Sequence, residues 1–353
     1  MSIPLRNEST SPREDAEPSR VLDRLGRPLR DLRLSVLDRC NLRCGYCMPG
    51  DTLQGRGIFL PPEHLLSDDE LESLVRVFAR LGVNKLRLTG GEPLLRPGLH
   101  RLVRRLARVP GIDDLALTTN GILLPRLAGP LRSAGLGRIT ISLDSLDETT
   151  FLAMSGGRGS VTEVLDGIAA AEAVGFKRLK INTVVQAGIN EDGIEALVAH
   201  FRGTGHVLRL IEFMDVGNSN HWSREQVVPS SVLRSRIHKR WPLRPVADQA
   251  LSETARRFEF EDGQGEIGFI SSITEPFCGD CTRARVAADG TFYSCLFSGR
   301  GTALRPLLRQ FDDSTRLADY LAGLWSGRED RYSELRERSV SERERVEMFR
   351  VGG

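Results

Sequence analysis

Stretches of branched and apolar residues that read as strands recur along the chain at 32–37, 85–89, 115–119, 138–143, 179–185 and 207–213. The segments between them carry apolar residues at helical spacing. In 67–81, for example, Leu71, Leu74, Val75 and Phe78 form one stripe, and Ser67 followed by Glu70 is a capping-box signature for the helix start. Six such βα repeats with compact connections predict parallel strands joined by right-handed crossovers. The expected fold class is α/β, a partial (βα)6 TIM-like barrel. A flat doubly wound sheet fits the same pattern, because one sequence does not reveal strand order. Both architectures gather ligands beyond the carboxyl ends of the strands, so position relative to those ends becomes the test for every motif.

The alternation stops near Asn218. Beyond it, 258–260, 266–270, 283–287 and 291–295 predict short antiparallel strands, with Asp289-Gly290 as the hairpin turn between the last two. The charged stretch 328–345 predicts a solvated helical face, and the chain ends in Gly352-Gly353. Residues 1–20, rich in Ser, Pro, Arg and Glu, lack the apolar periodicity needed to offset ordering entropy and are expected to be disordered. The expected division is thus a tail over 1–20, a barrel over 21–217 and a smaller C-terminal α+β domain over 218–353.

Composition narrows the function classes. The 353 residues are 40% hydrophobic and 27% charged, which excludes collagen-like and wholly disordered chains. Forty-nine basic against 47 acidic residues leave a formal charge of +2. That provides no global field for nucleic acid or an anionic membrane, so any anionic ligand must be held locally. No apolar run is long enough to span a bilayer and no signal-peptide pattern opens the chain, so a cytoplasmic location is expected. Six cysteines in such a reducing compartment read first as metal ligands.

Cys40, Cys44 and Cys47 form a C-x3-C-x2-C array directly after the first strand. Three thiolates at this spacing can hold three irons of a [4Fe–4S] cube and leave the fourth iron free for another ligand. Zinc is the alternative, but a zinc site wants four ligands and the nearest histidine, His64, has no ligand spacing. A second set, Cys278, Cys281 and Cys295, spans the C-terminal hairpin and again numbers three, with no fourth cysteine or nearby histidine. The two trios are expected to face each other across one cavity. Gly90-Gly91-Glu92-Pro93 closes the second strand, where glycines allow a close approach to the sheet edge. Polar side chains also alternate at strand ends: Lys85 with Arg87, Thr118 with Asn120, Ser142 with Asp144. No G-x4-G-K-[ST] loop is present, so any polyphosphate must be gripped by guanidinium forks rather than a P-loop.

The first array, with Tyr46 before its third cysteine, and the Gly-Gly-Glu-Pro run resemble the signatures of radical S-adenosylmethionine enzymes. Residues 31–49, 85–96, 117–121, 142–145, 180–183 and 277–285, with the Gly-Gly terminus, resemble the GTP 3′,8-cyclase family that opens molybdenum-cofactor biosynthesis. The match covers nearly all of the chain after the tail. It implies two [4Fe–4S] clusters and S-adenosylmethionine as cofactors, with GTP as substrate. It also implies a reaction in which a deoxyadenosyl radical takes hydrogen from the ribose 3′ carbon. Attack on carbon 8 and reduction then give (8S)-3′,8-cyclo-7,8-dihydroguanosine 5′-triphosphate. The resemblance places Arg33, Arg87, Thr118, Lys180, Arg283, Ala284 and Arg285 around GTP, and Tyr46, Gly91, Ser142 and Met214 around S-adenosylmethionine. It brings Gly352 and Gly353 into the active site. An electron donor and a functional link to the next pathway enzyme are implied as well, with monomer and homodimer both open. Two rivals remain at this stage: a peptide-modifying radical enzyme with an auxiliary-cluster domain, and a non-catalytic metal-binding module.

Overall fold

A computed structural model describes residues 21–48, 59–247, 249, 253–310, 314–336 and 345–352. The expected disordered tail over 1–20 therefore lies outside the described residues, as does Gly353. The repeat unit begins with β1 (Asp31–Ser35), followed by α1 (Asp68–Arg80), β2 (Lys85–Thr89), α2 (Leu99–Leu106), β3 (Asp114–Thr119), α3 (Leu124–Ser133) and β4 (Arg138–Ser142). Two helices, α4 (Glu148–Ser155) and α5 (Val161–Ala173), precede β5 (Lys180–Val185), and α6 (Ile194–Phe201) leads to β6 (Val207–Glu212). The capping box is present: the Glu70 amide donates to Ser67 Oγ at 3.2 Å and the Ser67 amide to Glu70 Oε2 at 2.8 Å. The Leu71, Leu74, Val75 and Phe78 stripe of α1 is wholly buried against the sheet.

After α7 (Ser230–Arg240) come β7 (Leu243–Pro245), β8 (Arg256–Phe260), β9 (Glu266–Ile270), β10 (Arg283–Val286), β11 (Thr291–Tyr293) and β12 (Thr302–Ala303). The chain ends through α8 (Arg305–Gln310), α9 (Ser314–Ser326), α10 (Tyr332–Leu335) and α11 (Met348–Val351). The sheet order is β12-β11-β10-β1-β2-β3-β4-β5-β6-β9-β8-β7. Strands β1 to β6 are neighbours in chain order and all parallel. The antiparallel pairings β8 with β9 and β10 with β11 agree with the sequence pattern. The same strands do something the pattern did not predict: β10 joins β1 and β9 joins β6, both in parallel. The C-terminal region thus extends the barrel sheet at both of its edges.

Side chains from all eight of these parallel strands line a single cavity. A sheet can present eight strands to one lumen only by curling around it, which favours the partial barrel over the flat alternative. One correction concerns 328–345. Among its described residues the helix is confined to Tyr332–Leu335, and Arg328 is only 4% exposed. That charge is held inside the molecule, not on a solvated face.

Candidate active site

The cavity, about 280 Å³, opens among the inward-facing residues of the parallel strands. Register sets its chemistry. Arg33 on β1 lies level with Arg87 on β2 and with Arg285 on β10, so three guanidiniums form a row across adjacent strands. Arg283, Lys180 and Arg209 complete a cationic belt on the same wall. Arg87 Nη1 donates to Thr118 Oγ1 and Thr140 Oγ1, each at 3.0 Å, which fixes its fork. Arg33 is driven well below its ordinary value by burial and by Arg285, Arg283 and Arg87. Burial and Arg209, Arg138 and Arg87 bring Lys180 down to about 7. Burying like charges at this density is unfavourable unless an anion joins them. A polyphosphate is the natural complement.

Cys278, Cys281 and Cys295 open onto the same cavity. Burial alone would raise Cys281, but Arg283 and Arg328 outweigh it and bring the thiol to about 6, while burial and Asp330 push Cys295 up to about 12. The Arg283 guanidinium lies 3.3 Å from Cys281 Sγ and stacks over Phe277 at 5.0 Å. The thiols of Cys40, Cys44 and Cys47 are not among the residues lining this cavity. The C-terminal segment runs between the two trios. The Glu347 carboxylate acts on Cys47, whereas the Val351 and Gly352 carbonyls accept from Arg285 Nη1.

Burial raises the Cys40 thiol to about 11, with Glu92 adding to it. Cys44 lies well above its ordinary value through burial, Asp144, Cys47 and Cys40. The three sulfurs are thus close enough to interact, all are free thiols, and each would need cationic compensation to ionise. Among the described residues no three His, Cys, Asp or Glu side chains converge on a single metal ion. The donor set fits a wider iron–sulfur cube better than zinc.

The Gly-Gly pair also has a steric reason within the fold. A Cβ on Gly90 would lie 2.2 Å from the Leu37 carbonyl oxygen, and one on Gly91 2.3 Å from that of Arg39. The Gly91 and Glu92 amides donate to those same carbonyls at 2.7 Å. The pair therefore docks the loop that delivers Cys40. Glu92 secures the other side, accepting from Thr119 Oγ1 at 2.7 Å and the Asn120 amide at 2.8 Å.

The remaining predicted residues divide clearly. Met214 and Thr118 line the cavity, and Ser142 closes β4 half-buried. Tyr46 donates its hydroxyl to Asp144 Oδ2 at 2.8 Å. Ala284 faces the hydrophobic core, so only its backbone is available to a ligand. Gly352 is buried against Thr89. Sequence reasoning missed Arg209, whose signal was an inward strand position matching Asn182 on β5.

The profile described as Radical SAM superfamily matches residues 34–201, and that described as Molybdenum Cofactor Synthesis C matches 206–334. The chain is 57% identical over 339 residues to the GTP 3′,8-cyclase of Xanthomonas campestris pv. campestris strain 8004, covering 96% of this chain and 99% of that one. Identity to the GTP 3′,8-cyclase of Acidothermus cellulolyticus is 49% over 320 residues, with 90% and 88% covered. For that of Staphylococcus saprophyticus it is 42% over 337 residues, with 94% and 99% covered. The structure of Streptococcus suis SuiB bound to S-adenosylmethionine superposes with a TM-score of 0.61 at 14% identity, covering 91% of this chain and 77% of that one, a likeness of fold.

Proposed function

This chain belongs to the GTP 3′,8-cyclase family of the radical S-adenosylmethionine superfamily, and we propose that its cationic belt seats the triphosphate of GTP beside the second cysteine trio. The reaction is the conversion of GTP to (8S)-3′,8-cyclo-7,8-dihydroguanosine 5′-triphosphate, the first step of molybdenum-cofactor biosynthesis. The cofactors are S-adenosylmethionine and a [4Fe–4S] cluster, for which Cys40, Cys44 and Cys47 are the fitting ligands. When bound, that pair supplies a 5′-deoxyadenosyl radical able to take hydrogen from the ribose 3′ carbon. Cys278, Cys281 and Cys295 fit a second [4Fe–4S] cluster with one iron left for a substrate heteroatom.

The chain's own residues bind and orient. Arg33, Arg87, Lys180, Arg283 and Arg285 would neutralise the triphosphate, with Thr118 holding the Arg87 fork. The Ala284 backbone and Thr118 would contact the nucleoside. Tyr46, Gly91, Ser142 and Met214 would seat S-adenosylmethionine at the barrel mouth. Gly352 and Gly353 would close the mouth and exclude water from the reacting carbon. In this reading 21–217 provides the radical and 218–353 the substrate's second anchor. Among the described residues no helix is long and apolar enough to cross a membrane. An electron donor and a cytoplasmic location belong to this reading.

The observation that carries this reading is the row of Arg33, Arg87 and Arg285 in a cavity that also holds three free thiols. Anaerobic incubation with GTP, dithionite and S-adenosylmethionine, followed by chromatography and mass analysis, tests it. Deoxyadenosine formation that depends on GTP, with a cyclised isomer of GTP, is expected. Cleavage of S-adenosylmethionine with GTP recovered unchanged would overturn it.

A further inference from the structure

Two arginines from opposite ends of the chain meet behind the second cysteine trio. Arg27 precedes β1, and Arg328 follows α9. Both bind Asp23: Arg27 Nε donates to Asp23 Oδ2 at 2.6 Å, and Arg328 Nη1 donates to the same oxygen at 3.0 Å. All three side chains are buried, with at most 2% of any of them exposed. One nitrogen of each guanidinium also reaches a carbonyl of the cysteine loop. Arg27 Nη1 donates to the Cys278 carbonyl at 2.6 Å and to that of Asp330 at 2.9 Å. Arg328 Nη1 donates to the Cys281 carbonyl at 2.8 Å.

The guanidiniums are themselves locked. Trp325, fully buried, donates its indole N–H to the Arg27 carbonyl at 3.0 Å, and Arg328 stacks over its ring at 4.5 Å. Asp330 is tied in turn to Ser294, the residue before Cys295, whose hydroxyl donates to Asp330 Oδ2 at 2.6 Å. Cys278 and Cys281 are thus each one hydrogen bond from the buried cluster, and Ser294, next to Cys295, is linked to it through Asp330. Apolar residues of similar volume commonly match a buried ion cluster for stability, so fold stability alone does not account for three ionised groups here. Groups that orient ligands and set the local charge do.

We propose that Asp23, Arg27 and Arg328 form a brace of positioning residues that fixes Cys278 and Cys281 and holds the charge of the iron–sulfur cluster on the second trio. This inference rests on the two-cluster reading above. Asp23 aligns the two guanidiniums, and each guanidinium fixes the backbone of one ligand cysteine.

The test uses the full-length chain in two backgrounds. C40A/C44A/C47A isolates the second trio, and C278A/C281A/C295A isolates the first. Anaerobic reconstitution of the former should give about four irons per chain. If it binds none, the two-cluster reading fails, and the brace with it. If it binds them, R27Q and R328Q are added to each background. The expected result is loss of the second cluster to a chelator at least tenfold faster than in its parent. Its one-electron reduction midpoint should also fall by about 59 mV, a tenfold change in the equilibrium constant. Chelator loss from the first cluster should be unchanged. Should glutamine prevent folding, R27K carries the test: lysine keeps the charge but has no second nitrogen with which to hold Asp23 and the Cys278 carbonyl as the Arg27 fork does. Chelation of the second cluster should then quicken while the midpoint stays near that of the parent. Unchanged lability of the second cluster, or equal loss from both trios, would overturn the brace.

Discussion

Lys180 enters the cavity from β5 beside Arg209 of β6, Arg138 of β4 and Arg87 of β2, while Glu253 favours its charged form. Its folded value of about 7 lies below the roughly 10.4 of an unfolded lysine. Between those limits the folded chain binds fewer protons than the unfolded one, so this residue's contribution to stability rises with pH across that window, and its penalty is complete below it. A bound triphosphate reverses the balance by favouring the ammonium. Calorimetry at pH 8 in two buffers of different ionisation enthalpy should therefore show net proton uptake on GTP binding, lost in Lys180→Met; an identical heat in both buffers for the parent would contradict it. Gly352 makes a second residue-scale case. Its φ of +67° and a Cβ position 2.1 Å from Thr89 Oγ1 exclude any side chain. Gly352→Ala should lower turnover at least tenfold while both trios keep their iron, as measured by product formation against iron content. The importance of Gly90-Gly91 was legible in the sequence. Its steric role in docking the Cys40 loop was not, because the obstacles are carbonyls of Leu37 and Arg39 on a different strand's loop.

At the scale of elements, the register of β10, β1 and β2 turns three ordinary arginines into one anion site. Each guanidinium there raises the energy of the others when no anion is present. Arg33→Met should therefore weaken GTP binding by roughly tenfold or more, given about 1.5–3 kcal/mol for a hydrogen bond to a charged group. The same change should raise the melting temperature of the ligand-free chain, since it removes a buried, repelled charge. Melting curves with and without GTP check both halves, and a fall in both would count against the repulsion. The six barrel strands and α1 were legible because strand and helix each leave a local period in the chain. The parallel joins of β9 and β10 were not, since edge pairing depends on register between segments far apart. Arg209 escaped for a related reason: a lone arginine in an apolar strand gains meaning only when the neighbouring strand shows that it faces the cavity.

The whole molecule is closed by contacts between the end of β6 and the C-terminal segment. Asp215, just after β6, accepts from Tyr332 Oη at 2.5 Å, Arg336 Nε at 3.1 Å and Arg345 Nη1 at 3.0 Å, and Glu347 accepts from the Asn218 amide at 3.0 Å. These contacts hold the final segment at positions before the last two residues. Deleting Gly352 and Gly353 should consequently leave the melting temperature and iron content near those of the parent while abolishing cyclisation; full activity after deletion would refute a role for the tail. Arg328, at the head of the charged run, was misread because its neighbours' mixed charges look like a solvated helix. The partner that draws Arg328 inside, Asp23, stands 305 positions away.

The two late strands at the barrel edges also bear on how the chain is made. Strand β1 waits for a neighbour that begins at Arg283, and β6 for one that begins at Glu266. At about 5–20 residues per second, a ribosome leaves β1 without that neighbour for on the order of ten to fifty seconds. Throughout that interval the nascent sheet presents two raw edges able to pair with other chains. Synthesis truncated before residue 266 should therefore yield an aggregating product even though every barrel strand has been translated.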